Sequence, residues 1–181
     1  MQPTNLPPEQ SQWRQQALQL MQEYFAPDRR QVQHALQVTQ FAERICSGEG
    51  VRQPFINRVV TLAGIFHDVG IPEALRLRGT AAGPHQEELG EPIARRLLQS
   101  LSTRPDVLER VCYIVRHHHS QEFIDGMDFQ ALFEADALVN LPNRHRAGRL
   151  SQPLRPIIDR IFVTATGRSL IEQWGREEGL L

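Results

Sequence analysis

Seven histidines are the residues of this chain best equipped for chemistry, and their spacing places several of them among apolar neighbours. His34 shares the helical stripe His34, Val38, Phe41, Ile45. His67 closes the stripe Ile56, Val60, Ala63, His67. His118 follows Val107, Val111, Ile114 and Val115, and Asp136 sits with Phe129, Leu132 and Val139. Side chains three or four apart on a helix lie on one face, so each of these polar groups points where its apolar neighbours point. A single histidine on such a face is ordinarily a hydrogen-bonded core residue. Four helices that each send a histidine or carboxylate inward are another matter. Burying one polar group without a partner costs a few kcal/mol, and burying four together would exceed the stability of an ordinary domain. A shared metal site removes that penalty for all of them at once.

The donor types narrow the metal. Imidazoles and carboxylates without thiolates suit Fe, Mn, Co, Ni or Zn, with Mg admissible, rather than a structural cysteine-rich zinc site. His67 and Asp68 are adjacent, and neighbouring positions on a regular helix point about 100° apart. Their place just before Gly70 and Pro72 puts them at a helix end, where the chain can turn both toward one ion. There an aspartate with two oxygens can bridge a pair of ions.

The elements that must carry these groups are helical. Apolar positions recur at helical spacing and the breaks fall at Pro and Gly. Helices are expected over residues 9–25 (closed by Ala26-Pro27), 29–46, 54–67, from Pro84 or Glu91-Pro92 to Leu101, 105–118, 128–141 and 154–174, the last broken near Gly167. Glu87, Glu88 and Glu91 would form an acidic first turn suited to the helix dipole. Residues 71–83 read as loop, and so does the polar segment Pro142–Arg146, where His145 would be solvated. With no alternating strand pattern and no repeat, the fold class is all-α: one bundle of six to seven helices. Residues 30–140 hold the motifs, and the helices over 9–25 and 151–179 pack on them.

Composition excludes other classes. The 181 residues are 40% hydrophobic and 23% charged, enough for one domain with a real core. Twenty basic residues against 21 acidic ones, with no basic block, argue against a nucleic-acid polymer as partner. Every basic residue is arginine, so lysine Schiff-base chemistry is absent. Cys46 and Cys112 read as small apolar residues and make no disulfide framework, which suits a reducing compartment. The apolar run Val59–Phe66 is too short to span a membrane, and the polar start of the chain lacks a signal pattern. The expected location is the cytoplasm. Ile157, Ile158, Ile161, Phe162, Leu170 and Ile171 read as core, with a homodimer face as the alternative.

Taken together, His34, the segment Ala63-Gly64-Ile65-Phe66-His67-Asp68-Val69-Gly70 and the segment Glu134-Ala135-Asp136-Ala137-Leu138 resemble the HD-domain superfamily of metal-dependent phosphohydrolases. The order is that family's H…HD…D, over roughly residues 30–140. The resemblance implies that His34, His67, Asp68 and Asp136 hold a first metal. His85, in His85-Gln86-Glu87-Glu88-Leu89-Gly90, and the helix ending in His117-His118-His119 are similar to the subset with extra histidines and a dinuclear centre. In that reading His85 and His118 hold a second ion, with His117 ahead of His119 as the alternative, and Asp68 bridges the two. Many members carry a lysine near the substrate phosphate where this chain has Ile71, so positive charge would come from Arg76, Arg78, Arg144 or Arg146. Asp68 and Glu73 are the candidate catalytic carboxylates, Glu73 as a general acid or base.

The function implied is hydrolysis of a nucleotide or another small phosphate ester or anhydride by a metal-activated water, with a small-molecule phosphate as partner. Two alternatives share the ligand set. One is a di-iron centre that uses dioxygen, as some relatives do; the other is a regulatory module that binds a nucleotide without turnover.

Overall fold

The computed structural model describes residues 8–26, 28–150 and 152–181, and side chains from residue 12 onward. Residues 1–7, with the polar start of the chain, Pro27 and Ser151 lie outside the described residues. The described residues form nine α-helices and one 3-10 turn, with no strand. The helices are α1 (Pro8–Phe25), α2 (Arg29–Gly48), α3 (Pro54–Phe66), α4 (Ile71–Arg78), α5 (Gly83–Ser100), α6 (Pro105–His117), α7 (Met127–Arg146), α8 (Leu154–Ile161) and α9 (Ala165–Glu177). The 3-10 turn is Gln121–Phe123. The expected all-α class holds; the helix count exceeds the expected six to seven.

Helix α3 is the axis of the bundle. Residues Val59–Phe66 are buried on every side, as a helix apolar all round must be. Helices α1, α2, α6 and α7 pack around it, α5 packs on α6, and α8 and α9 lean on α7. Gly64 permits the α2–α3 crossing: a Cβ there would lie 2.8 Å from Thr39 Cα. The core is continuous, from Ala17 and Met21 on α1 through Phe66, Ile114 and Phe129 to Ile171 on α9.

Four expectations need correction. Residues 71–78 are helical, because Pro72 sits in a first turn, where its missing N–H costs nothing, and Gly79 closes the helix at φ +68°. Helix α5 starts at Gly83 with Pro84 in its first turn and runs through Pro92, so Glu87, Glu88 and Glu91 lie beyond the first turn. Helix α7 likewise runs through Pro142 to Arg146. His145 is therefore helical and half-buried, its ring 5.8 Å from that of Trp174 and its Nε2 3.6 Å from a Glu178 oxygen.

The last correction concerns the C-terminal helix, which breaks at residues 162–164 rather than at Gly167. Glu134, fully buried on α7, accepts the backbone N–H groups of Val163 and Thr164, each at 2.9 Å. The Thr164 hydroxyl then caps α9 by accepting Gly167 N–H at 2.9 Å. Gly167 lies in the first turn of α9, and its missing side chain makes room for Glu134: a Cβ would stand 1.9 Å from Oε2. Gly167→Ala is therefore expected to lower the melting temperature by about 5–10 °C in a thermal melt, as overpacking at a carboxylate that cannot retreat. An unchanged melting point would show that the carboxylate has another place to go.

Candidate metal centre

His34 stands on the second turn of α2, which is capped by Asp28 accepting the N–H groups of Arg30 and Gln31. His67 and Asp68 occupy the tight connection between α3 and α4. The backbone there folds back on itself, Val69 N–H to Phe66 O and Ile71 N–H to Asp68 O. This connection is clamped from two sides. Tyr24 on α1 donates its hydroxyl to the Val69 carbonyl at 2.8 Å. Across from it, Gly70 presses on α5, leaving no room for a Cβ beside the Gln86 carbonyl. Asp136 projects from α7 between these elements. His118 follows the last residue of α6.

These groups meet. His34 Nε2 lies 3.2 Å from His67 Nε2, 3.3 Å from Asp68 Oδ2 and 3.1 Å from Asp136 Oδ1. His67 Nε2 is 3.4 Å from Asp68 Oδ2 and 3.7 Å from Asp136 Oδ1. Which ring nitrogens bear protons follows from the backbone. His67 Nδ1 faces the Gly64 carbonyl at 3.0 Å and His118 Nδ1 faces the Val115 carbonyl at 2.8 Å. A carbonyl only accepts, so each Nδ1 donates and each Nε2 of the neutral ring is a bare acceptor. His118 Nε2 is buried without a hydrogen-bond partner and faces Asp68 Oδ1 at 3.5 Å. The bare Nε2 atoms of His67 and His118 thus face carboxylate oxygens, and cations between them make the arrangement stable. Imidazoles that give Nδ1–H to a backbone carbonyl and aim Nε2 inward are the usual presentation of histidine to a metal. The residues present fit a divalent ion.

In the metal-free protein, protons take that place. Burial alone would push His67 down, but Asp68 and Asp136 outweigh it and hold His67 up at about 9. Burial opposes ionisation of Asp68, yet His67 and His118 keep it well below the usual carboxylate range. Asp136 is lowered too, against its burial, by the hydrogen bond with His34 and by His67. His67 therefore contributes stability that is fully present below about pH 6.5 and is lost as pH rises through about 9. The chelator-treated protein should melt at progressively lower temperature across that window. Metal binding needs deprotonated imidazoles, so the stabilisation that added Mn contributes should grow over the same window. Melting curves from pH 6 to 9 with chelator or with Mn would check this, and a flat chelator series would contradict it.

A second group forms around Asp68, His118 and His119. His119 is exposed at the cleft, and desolvation by its packed neighbours together with the adjacent His118 pushes it down to about 4, which leaves it neutral and available as a donor. Its Nε2 lies 3.3 Å from Gln86 Oε1, and its backbone N–H donates to Glu87 at 2.9 Å. The composition of this group differs from what the resemblance implied. His85 belongs to neither donor group; it is half-buried on the first turn of α5, and its neighbour Gln86 faces the cleft instead. His117, placed ahead of His119 in the sequence reading, stacks on Phe123 (ring centroids 4.1 Å apart) and leans on Tyr113. Helix α6 ends at His117, and in the turn that follows the rings of His118 and His119 lie together, centroids 4.0 Å apart.

The cleft over the centre measures about 330 Å³ and is lined by Arg30, Gln31, His34, Asp68, Ile71, Gln86, His119, Asp136, Asn140 and Asn143. The expected arginines are elsewhere. Arg76 is tied to Glu73 through two hydrogen bonds of 2.7 and 2.5 Å, and Arg78 lies 3.8 Å from Glu88. Arg144 is exposed on the last turn of α7, and Arg146 bonds Asn143 at 2.6 Å. Glu73 also lies outside the cleft lining. Arg76 holds its carboxyl below the usual range, which makes it a poor proton donor. Two residues that sequence reasoning missed take part: Arg30, four residues before His34, and Asn140, four after Asp136, which donates to both Asp136 oxygens at 2.9 Å. Spacing of i, i+4 on one helix face was the available signal.

The family model for the HD domain matches residues 32–159. The chain belongs to the HD-domain family. A crystal structure of a predicted HD superfamily hydrolase from an uncultured Thermotogales bacterium shares its fold. That protein is 20% identical, with a TM-score of 0.64 over 88% of this chain and 83% of the other. Among curated proteins none matches. The imidazole and carboxylate donors of this HD domain suit a divalent metal. No helix among its described residues is long and apolar enough to cross a membrane.

Proposed function

We propose that this HD-domain chain is a metal-dependent phosphohydrolase acting on a nucleotide or another small phosphate ester or anhydride. One observation carries the reading: imidazoles and carboxylates from α2, α7 and the turns after α3 and α6 converge on one cleft, with the buried His118 Nε2 left unpartnered. His34, His67, Asp68 and Asp136 would hold one divalent ion, and Asp68, His118 and His119 a second. When bound, such ions acidify a coordinated water and neutralise charge on phosphoryl oxygens.

The chain's own residues do the rest. Gly64 O and Val115 O fix the tautomers of His67 and His118, so both rings present Nε2 without reorganising. Asn140 keeps both oxygens of Asp136 oriented. Asp68 offers Oδ2 to one group and Oδ1 to the other, which is how one carboxylate can serve two ions. Arg30 supplies positive charge at the cleft. Phosphate release from nucleotides, sugar phosphates and an aryl phosphate, measured with Mn, Co, Ni, Fe and Mg in turn, tests the proposal. Turnover that chelator abolishes and metal restores supports it. Inertness toward every ester with every metal would overturn it.

A further inference from the structure

The side chains of the cleft sort themselves into few chemical types. Arg30 is the one cation in the lining apart from the histidines, and its guanidinium makes no ion pair among the described residues. It stands one helical turn before His34 and so shares the face that carries that ligand. A diphosphate or triphosphate brings three or four negative charges and calls for several cationic partners. One arginine beside a metal centre matches one phosphate.

The remaining polar lining is carboxamide, and the hydrogen bonds show which ends are left over. Asn140 spends its amide nitrogen on Asp136, which leaves Oδ1 as an acceptor. Asn143 accepts from Arg146 with Oδ1, which leaves its NH2 as a donor. Gln31 makes no side-chain hydrogen bond among the described residues and offers both ends. An acceptor, a donor and a group that is both form a natural receptor for hydroxyls, which donate and accept at once. The lining holds no Phe, Tyr or Trp ring, its imidazoles His34 and His119 belong to the donor groups, and Ile71 is its one aliphatic side chain, so a nucleobase would find no flat apolar face to stack on. At about 330 Å³ the cleft is also at the lower end of ligand-site volumes.

We infer that the substrate is the monophosphate ester of a small polyhydroxylated alcohol, a sugar or polyol phosphate, with Arg30 on the phosphate and Gln31, Asn140 and Asn143 on the hydroxyls. The inference rests on the phosphohydrolase reading and narrows it.

The test uses the full chain loaded with its most activating metal. It compares kcat/KM for sugar and polyol monophosphates, nucleoside monophosphates, nucleoside triphosphates and p-nitrophenyl phosphate, in the parent and in Arg30→Met, Arg30→Lys and Asn143→Leu. Polyol monophosphates should exceed both nucleotide classes by at least about tenfold, the worth of one or two well-made hydrogen bonds. Arg30→Met should lower kcat/KM on polyol esters by about 10–100-fold with unchanged metal content, and Arg30→Lys should recover part of it. In a thermal-shift assay, the stabilisation by inorganic phosphate should disappear in Arg30→Met. Asn143→Leu should lower the ratio of polyol-ester to aryl-ester turnover. Preference for nucleotides in an active parent, or an Arg30→Met variant that matches the parent, would overturn the inference while leaving the phosphohydrolase reading in place. A metal-loaded parent inert toward all four classes would overturn both.

Discussion

Asp68→Ala should lose most of its bound metal and at least about 10³-fold in kcat/KM while remaining folded. Asp68 is the one side chain that reaches both donor groups, with Oδ2 3.3 Å from His34 Nε2 and Oδ1 3.5 Å from His118 Nε2. Its removal leaves His67 and His118 buried without the charge that organises them, and each ion short of a negatively charged ligand. Loss of a metal-activated nucleophile and of charge neutralisation together is worth several kcal/mol of barrier, hence the factor. The fold should survive, because Asp68 sits at the wall of the cleft and the apolar core behind it is intact. Circular dichroism beside elemental analysis and phosphate release separates the effects. Full activity in Asp68→Ala would remove the metal centre from the mechanism.

Gly70→Ala should be the most damaging conservative change in the chain. Gly70 has φ −74°, a conformation alanine adopts freely, so no backbone strain is involved. Its Cβ would stand 2.1 Å from the Gln86 carbonyl oxygen and 2.9 Å from Gly90 N, both backbone atoms that no rotamer change can move. Helix α5 must shift away from the His67–Asp68 turn, at a cost of about 3 kcal/mol or more. Gln86 would move with it, and with Gln86 the acceptor that faces His119. Gly79→Ala is the matched control: φ is +68° with nothing within 4 Å, so only the left-handed backbone is penalised, by about 1–2 kcal/mol. Denaturant midpoints should therefore fall further for Gly70→Ala than for Gly79→Ala. The reverse order would mean that α5 does not press on the turn.

What was legible in the sequence divides along physical lines. Periodicity exposes any residue whose neighbours share a helix face, so His34, His67, His118 and Asp136 could be read as inward-facing before any coordinates. The boundaries that failed were those set by contacts distant in sequence. Glu134 ends α8 and starts α9 from about 30 residues away, and Pro92 and Pro142 sit inside helices that packing sustains. His85 and His117 failed for a different reason. At the first turn of a helix and at its last residue, a register difference of one position turns a side chain by about 100°, which no single-sequence pattern resolves. Gln86, one position after His85, and His119, two after His117, are the side chains that reach the cleft. The arginines went astray because i, i+3 and cross-helix carboxylates claim Arg76 and Arg78, whereas Arg30 has no such partner among the described residues.

The most direct test of the account is the number of metal ions per chain. It should be measured by elemental analysis on protein purified without a histidine tag, for the parent, Asp68→Ala, His119→Ala and His85→Ala. The geometry predicts about two ions in the parent, few in Asp68→Ala, roughly one in His119→Ala, and about two retained in His85→Ala. A parent that carries no metal and takes none up on reconstitution would contradict the account at its centre.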